Sequence, residues 1–65
     1  MQTIHTSNLY AAHLHPRAGL IVESTRRAGG VQLKPDHPQF NAYVDAIKTA
    51  IDTREADALC KALIN

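Results

Sequence analysis

The run LYAAHLHPRAGLIV, residues 9–22, decides the fold. Tyr10 and Leu14 alternate with less apolar neighbours as far as His15. Pro16-Arg17-Ala18-Gly19 interrupts the pattern, and Leu20-Ile21-Val22 resumes it. Two apolar runs on either side of a turn signal read as an antiparallel hairpin. A three-residue loop, Arg17-Ala18-Gly19, sets the glycine in the left-handed conformation that such loops require. That register pairs Pro16 with Leu20 and Leu14 with Val22. Tyr10, Ala12, Leu14, Leu20 and Val22 then share one face, the expected core face.

Outward from the hairpin, Arg26-Arg27-Ala28-Gly29-Gly30 marks a second turn. Val31-Gln32-Leu33-Lys34 then reads as a short strand with Val31 and Leu33 inward. A further strand around Thr3–Thr6 carries only a weak pattern. After Pro35 the period becomes helical: Phe40, Tyr43, Val44, Ile47 and Ile51 form one apolar stripe, predicting a helix over 37–51. Asp36-His37-Pro38-Gln39 supplies a variant of the capping box. Asp52-Thr53-Arg54-Glu55 repeats that grammar before a second helix over 53–64, with Ala56, Leu59, Cys60 and Leu63 on its inner face. No glycine separates the two, so a single helix kinked near Thr53 is the alternative. The expected fold is α+β, one small domain over residues 1–65. A small antiparallel sheet, β-hairpin plus third strand at about 9–34, precedes two C-terminal helices at about 37–64 packed on one face.

Composition limits what such a chain can do. Of 65 residues, 45% are hydrophobic, but ten are alanine, leaving five Ile, six Leu, three Val, Met1 and Phe40 as large, purely apolar groups. A chain of this size buries only about 60% of the surface its unfolded form exposes. Its core is therefore marginal for a lone monomer, which favours a homo-oligomer or a bound partner. Self-association would use the row Ala42, Ala46 and Ala50 or an exposed edge strand. There is no room for separate cofactor and substrate domains. One cysteine forms no internal disulfide. No apolar run reaches membrane-span length, and the first residues lack the pattern of a signal peptide, so a cytoplasmic address is expected and no membrane partner.

The net charge of +1 and a pI near 8.0 are low for a dedicated nucleic-acid binder. The charge is nevertheless uneven. Arg17, Arg26, Arg27 and Lys34 face only Glu23 in the first half, whereas the second half is acidic. Arg17, Arg26, Arg27 and Lys34, with Gln32 projecting from the third strand, form an expected basic rim for phosphates or an acidic protein surface.

Four histidines are the compositional oddity. His13 and His15 lie two apart on a strand and so share a face, and the expected register puts Glu23 opposite His13. Two imidazoles and a carboxylate suit a divalent metal. The simpler reading is a polar, solvated sheet face. His37 is expected to pack on the first turn of its helix, and His5 falls in a segment with no defined role. Cys60 sits on an apolar stripe, where cysteine serves as a small hydrophobe. No glycine-rich phosphate loop, no convergent pair of acids and no base beside Cys60 appear, so the chain is read as a non-enzyme without cofactors.

Residues 31–64 resemble in part a ribbon-helix-helix DNA-binding domain. Val31-Gln32-Leu33-Lys34 would be the ribbon, and Asp52-Thr53-Arg54-Glu55 the turn into the second helix. The resemblance implies a dimer whose paired ribbons enter the major groove, with Gln32 and Lys34 outward. The sequence departs from the pattern in lacking a glycine at the turn, in a long first helix, and in the hairpin available to pair with the ribbon. The leading expectation is a small interaction module, a homodimer binding another macromolecule, a protein in preference to nucleic acid; the alternative is nucleic-acid binding through the ribbon or the basic loops.

Overall fold

The computed structural model describes residues 1–26 and 28–64. Four strands, β1 (Gln2–Thr6), β2 (Tyr10–His15), β3 (Gly19–Ser24) and β4 (Gly30–Leu33), form an antiparallel meander in the order β1-β2-β3-β4. Two helices follow, α1 (Phe40–Thr49) and α2 (Thr53–Ile64), and both pack on the sheet. The fold is thus the expected α+β arrangement with one strand more at the N-terminal edge.

The core face is the one the alternation predicts. Ala12, Leu20, Val22 and Leu33 are buried beneath Val44, Ile47 and Cys60, with Tyr10, Leu14 and Val31 half-buried around them. The hairpin register, however, differs by two residues: Leu14 pairs with Leu20, Ala12 with Val22 and His15 with Gly19. The loop is Pro16-Arg17-Ala18, one residue earlier than expected. His15 closes it, its Nδ1 accepting from the backbone N–H of Arg17 (3.1 Å) and Ala18 (3.0 Å). Gly19 does take a positive φ, +88°, and a Cβ there would lie 2.2 Å from the Leu33 carbonyl oxygen. Because side chains alternate with period two, an even shift changes pairing partners without exchanging faces.

β1 is hard to see in the sequence because it is bulged. Thr3 pairs with His13 and His5 with Ala12, so Ile4 is an extra residue in the strand. Strict alternation would leave Thr3 and His5 on one face. The inserted residue instead carries His5 to the helix side, opposite the buried Ala12.

The helices differ in how they begin. α1 starts at Phe40, not at 37, and its N-cap Gln39 makes no side-chain cap bond. Residues 34–40 instead close successive turns, with His37 N–H donating to the Lys34 carbonyl and Phe40 N–H to that of His37. The His37 ring accepts the Gln39 N–H at 3.1 Å. The capping box at Asp36 therefore does not form. At the C-terminus Ala50 leaves the helical region (φ −60°, ψ 127°), which makes two helices and not one kinked helix. Ile51, the fifth member of the expected stripe, lies beyond the helix end and is 93% exposed. α2 spans the expected residues, and Asp52 Oδ1 accepts the Glu55 N–H at 2.7 Å, as a cap should. Of the alanine row, Ala42 is exposed and Ala46 and Ala50 are half-buried.

Gly19 is the position where this topology most depends on a missing side chain. Gly19→Ala imposes both left-handed strain and a clash with backbone, and should lower stability by at least about 2 kcal/mol. For a domain this small that is a fall in Tm of roughly 8–16 °C. Gly29→Ala, whose added Cβ meets nothing within 4 Å although φ is +119°, should lose clearly less. Thermal melts of the two variants check this, and equal losses would show that the contact with Leu33 carries no weight.

Candidate interaction site

A meander places successive turns at opposite ends of its sheet. The β2–β3 loop with Arg17 therefore lies at the same end as Lys34, since Leu20 pairs with Leu33. Arg26, in the β3–β4 turn, lies at the other end, a six-residue strand away, roughly 17 Å. The expected basic rim is accordingly divided. Gln32 is engaged as well, its amide donating to the Ala18 carbonyl at 3.0 Å. Arg27 lies outside the described residues.

The expected metal trio does not assemble. Ile21, not Glu23, pairs with His13, and Glu23 pairs with Ala11. Glu23 still reaches His13 diagonally, Nε2–H donating to Oε1 at 3.2 Å, while His13 Nδ1 lies 3.0 Å from the Thr3 hydroxyl. His15 commits its Nδ1 to the loop. Among the described residues no three His, Cys, Asp or Glu side chains are grouped to hold a metal ion. Thr3, His13 and Glu23 are hydrogen-bonded to one another on this face, beside the apolar Ala11 and Ile21.

The end of the sheet that holds Arg26 is more developed. The β1–β2 turn is organised by Ser7, whose hydroxyl oxygen accepts the N–H groups of Leu9 and Tyr10 (both 3.1 Å) and donates to Asp57 Oδ1 at 2.6 Å. His5 Nε2–H donates to the same oxygen at 2.8 Å, and the His5 and Asp57 side chains are only 8% and 13% exposed. Thr25 ties the neighbouring turn to this one, its N–H donating to the Leu9 carbonyl (3.0 Å) and its hydroxyl to that of Asn8 (2.6 Å). The serine, histidine and aspartate are not a catalytic relay. Both donors converge on one carboxylate oxygen, and the Ser7 hydroxyl gives its proton to Asp57 and not to the imidazole, so His5 is not placed as a base for Ser7.

Beside this cluster lies an open groove of about 620 Å³ between Leu9 and Tyr10 on one wall and α2 on the other. Arg54, Ala58 and Lys61, spaced four and three residues apart and hence on one face of the helix, line the second wall, with Thr53 at its start and Asp57 at its inner edge. Leu9 is 41% exposed. The exposed lining is largely apolar and the α2 rim carries two cations, while Asp57 is occupied by His5 and Ser7. None of these groove residues was singled out in the sequence as a binding group, because no spacing joins Leu9 to α2 until the bulge and the Ser7 turn bring them together.

Cys60 is fully buried in the core. Burial, and secondarily the nearby Asp57 carboxylate, push its thiol up from an ordinary 9.0 to about 11. A thiol held protonated and out of solvent is no nucleophile. Among the described residues no helix is long and apolar enough to cross a membrane. Compared with protein-family models, curated proteins and solved structures, the chain matches none.

Asp57→Ala removes the shared acceptor of two partly buried donors and should lower stability by about 2 kcal/mol. Asp57→Asn, which keeps an oxygen, should lose less. Denaturant melts decide, and an Asp57→Ala variant as stable as the wild type would exclude the network as a structural tie. Cys60 gives a pH signature of definite sign. The unfolded thiol ionises near pH 9 and the folded one near 11, so its stabilising contribution is intact below pH 9 and lost between 9 and 11. Cys60→Ala, less stable at neutral pH, should show a shallower decline across that window in chemical denaturation.

Proposed function

We propose that this chain is a small, non-catalytic interaction module that acts by binding protein, and that the groove between Leu9–Tyr10 and α2 is the surface it uses. The observation that carries this reading is the groove itself. A solvent-open, largely apolar depression with Leu9 exposed in one wall and Arg54 and Lys61 along the other suits a partner segment that combines an apolar side chain with acidic neighbours. Its Leu9–Tyr10 wall is held by hydrogen bonds within the chain, so the surface exists before any partner arrives.

Protein is favoured over nucleic acid by the separation of the cations. A phosphate backbone is tracked by several cations along one path, whereas Arg17 and Lys34 lie at one end of the sheet and Arg26 at the other. The ribbon mode needs β4 to present Gln32, and that amide is committed to Ala18. The Cys60 thiol is buried and the Ser7 hydroxyl is bonded to Asp57 and not to His5, which supports a non-enzymatic role.

The two partner classes separate in one NMR experiment on the isotope-labelled chain. A synthetic peptide alternating Leu and Glu should shift the amides of Leu9, Tyr10, Arg54, Ala58 and Lys61. A short duplex DNA should leave them unmoved at moderate salt. Shifts with the duplex alone, weakening steeply as salt rises and clustered at Arg17 and Lys34 or at Arg26, would replace this reading with nucleic-acid binding. Silence in the groove at millimolar peptide would remove the groove as the binding surface.

A further inference from the structure

We propose that the occupant of the groove is Ile51 of a second copy of this chain, inserted reciprocally so that two copies form a two-fold dimer. The inference rests on the groove being the binding surface and names what fills it.

Ile51 is the most exposed large apolar residue of the chain, at 93%. It stands in the short corner between α1 and α2, where Ala50 has left the helix and Asp52 caps the next one. Neither the corner nor the cap uses its side chain. A lone exposed isoleucine is common enough on protein surfaces. This one differs in its surroundings, because Thr53, two residues on, already lines the groove, and Leu9 in the opposite wall is itself 41% exposed. An apolar knob and an apolar groove thus lie side by side at one end of the molecule.

That adjacency is what a two-fold interface requires. Where knob and groove belong to the same patch, one rotation seats each knob in the other copy's groove and the assembly closes at two. The charges agree with this pairing. Asp52, and with Arg54 between them Glu55, follow the knob in sequence, and Arg54 and Lys61 line the groove. Bringing one copy's knob to the other's groove therefore sets acid against base at the rim, which favours the correct approach and register. Pairing of this kind also covers Leu9 and Ile51, two of the three large hydrophobic side chains that the monomer leaves exposed among the described residues, the third being Met1.

Ile51 contributes nothing to the monomer's core, so its replacement separates association from folding. Sedimentation velocity on the full chain from 5 µM to 1 mM should show a dimer that dissociates on dilution. Ile51→Asp should weaken it at least tenfold while leaving the far-UV circular dichroism of the monomer unchanged. Ala58→Arg, from the groove side, should weaken it likewise. In a sample mixing labelled and unlabelled chains, intermolecular NOEs should join Ile51 methyls to Leu9 and the Tyr10 ring. A wild type that stays monomeric at 1 mM overturns the proposal, as does a dimer that Ile51→Asp leaves intact. Titrating the Ile51→Asp variant with the Leu–Glu peptide distinguishes the two failures. If the groove residues still shift, only the second-copy occupant is lost, and if they are silent the groove reading falls with it.

Discussion

One carboxylate oxygen joins the parts of this molecule that the chain's own order keeps apart. Asp57 Oδ1 accepts from His5 of the bulged edge strand and from Ser7 of the following turn, while its backbone belongs to the last helix. β1 is the strand with least apolar content, and strand pairing alone would leave it a weakly held edge. The contact from His5 and Ser7 clamps that edge and its turn beneath α2, and the same turn fixes Leu9 and Tyr10 as a groove wall. Stability at the N-terminal edge and shape at the surface thus derive from the same three side chains.

The network also explains which parts of the architecture could be read from the sequence. Tyr10, Ala12, Leu14, Leu20 and Val22 show their common face through alternation alone, and an error of two residues in pairing leaves that face intact. The second helix is legible because Asp52 and Glu55 form a cap whose geometry is local. His5 is illegible for the opposite reason. Its inward position exists only because Ile4 is an inserted residue, and nothing in Gln2–Thr6 announces a bulge. Ile51 misleads in another way: it continues the 3.6-residue period of Phe40, Tyr43, Val44 and Ile47, but the helix stops two residues earlier, and periodicity carries no information about where a helix ends.

The candidate site was obscured by a different confusion, between closeness in composition and closeness in space. Arg17, Arg26, Arg27 and Lys34 crowd the first half of the sequence, yet a meander assigns its consecutive turns to opposite ends, so a basic half-chain does not make a basic face. His13 and Glu23 meet although the expected register was wrong, because diagonal neighbours on adjacent strands remain within reach of long side chains. Counted along α2, the groove cations Arg54 and Lys61 are matched by the acids Glu55 and Asp57. In the structure Asp57 is turned inward to His5 and Ser7, and the face that carries Arg54, Ala58 and Lys61 is left basic.

A chain of this size has little interior, and among the described residues four of the nine buried hydrophobic positions are filled by small groups: Ala11, Ala12, Ala56 and Cys60 stand beside Leu20, Val22, Leu33, Val44 and Ile47. Such small side chains limit the apolar area that folding removes from water. An isoleucine held in solvent at the helix corner therefore represents hydrophobic area the monomer does not use, next to a groove the monomer does not fill. If both are closed by association, part of the free energy that holds the fold together belongs to the assembly, and stability becomes a function of protein concentration. Interaction and folding are then two aspects of one small hydrophobic inventory, divided between the inside of the chain and its surface.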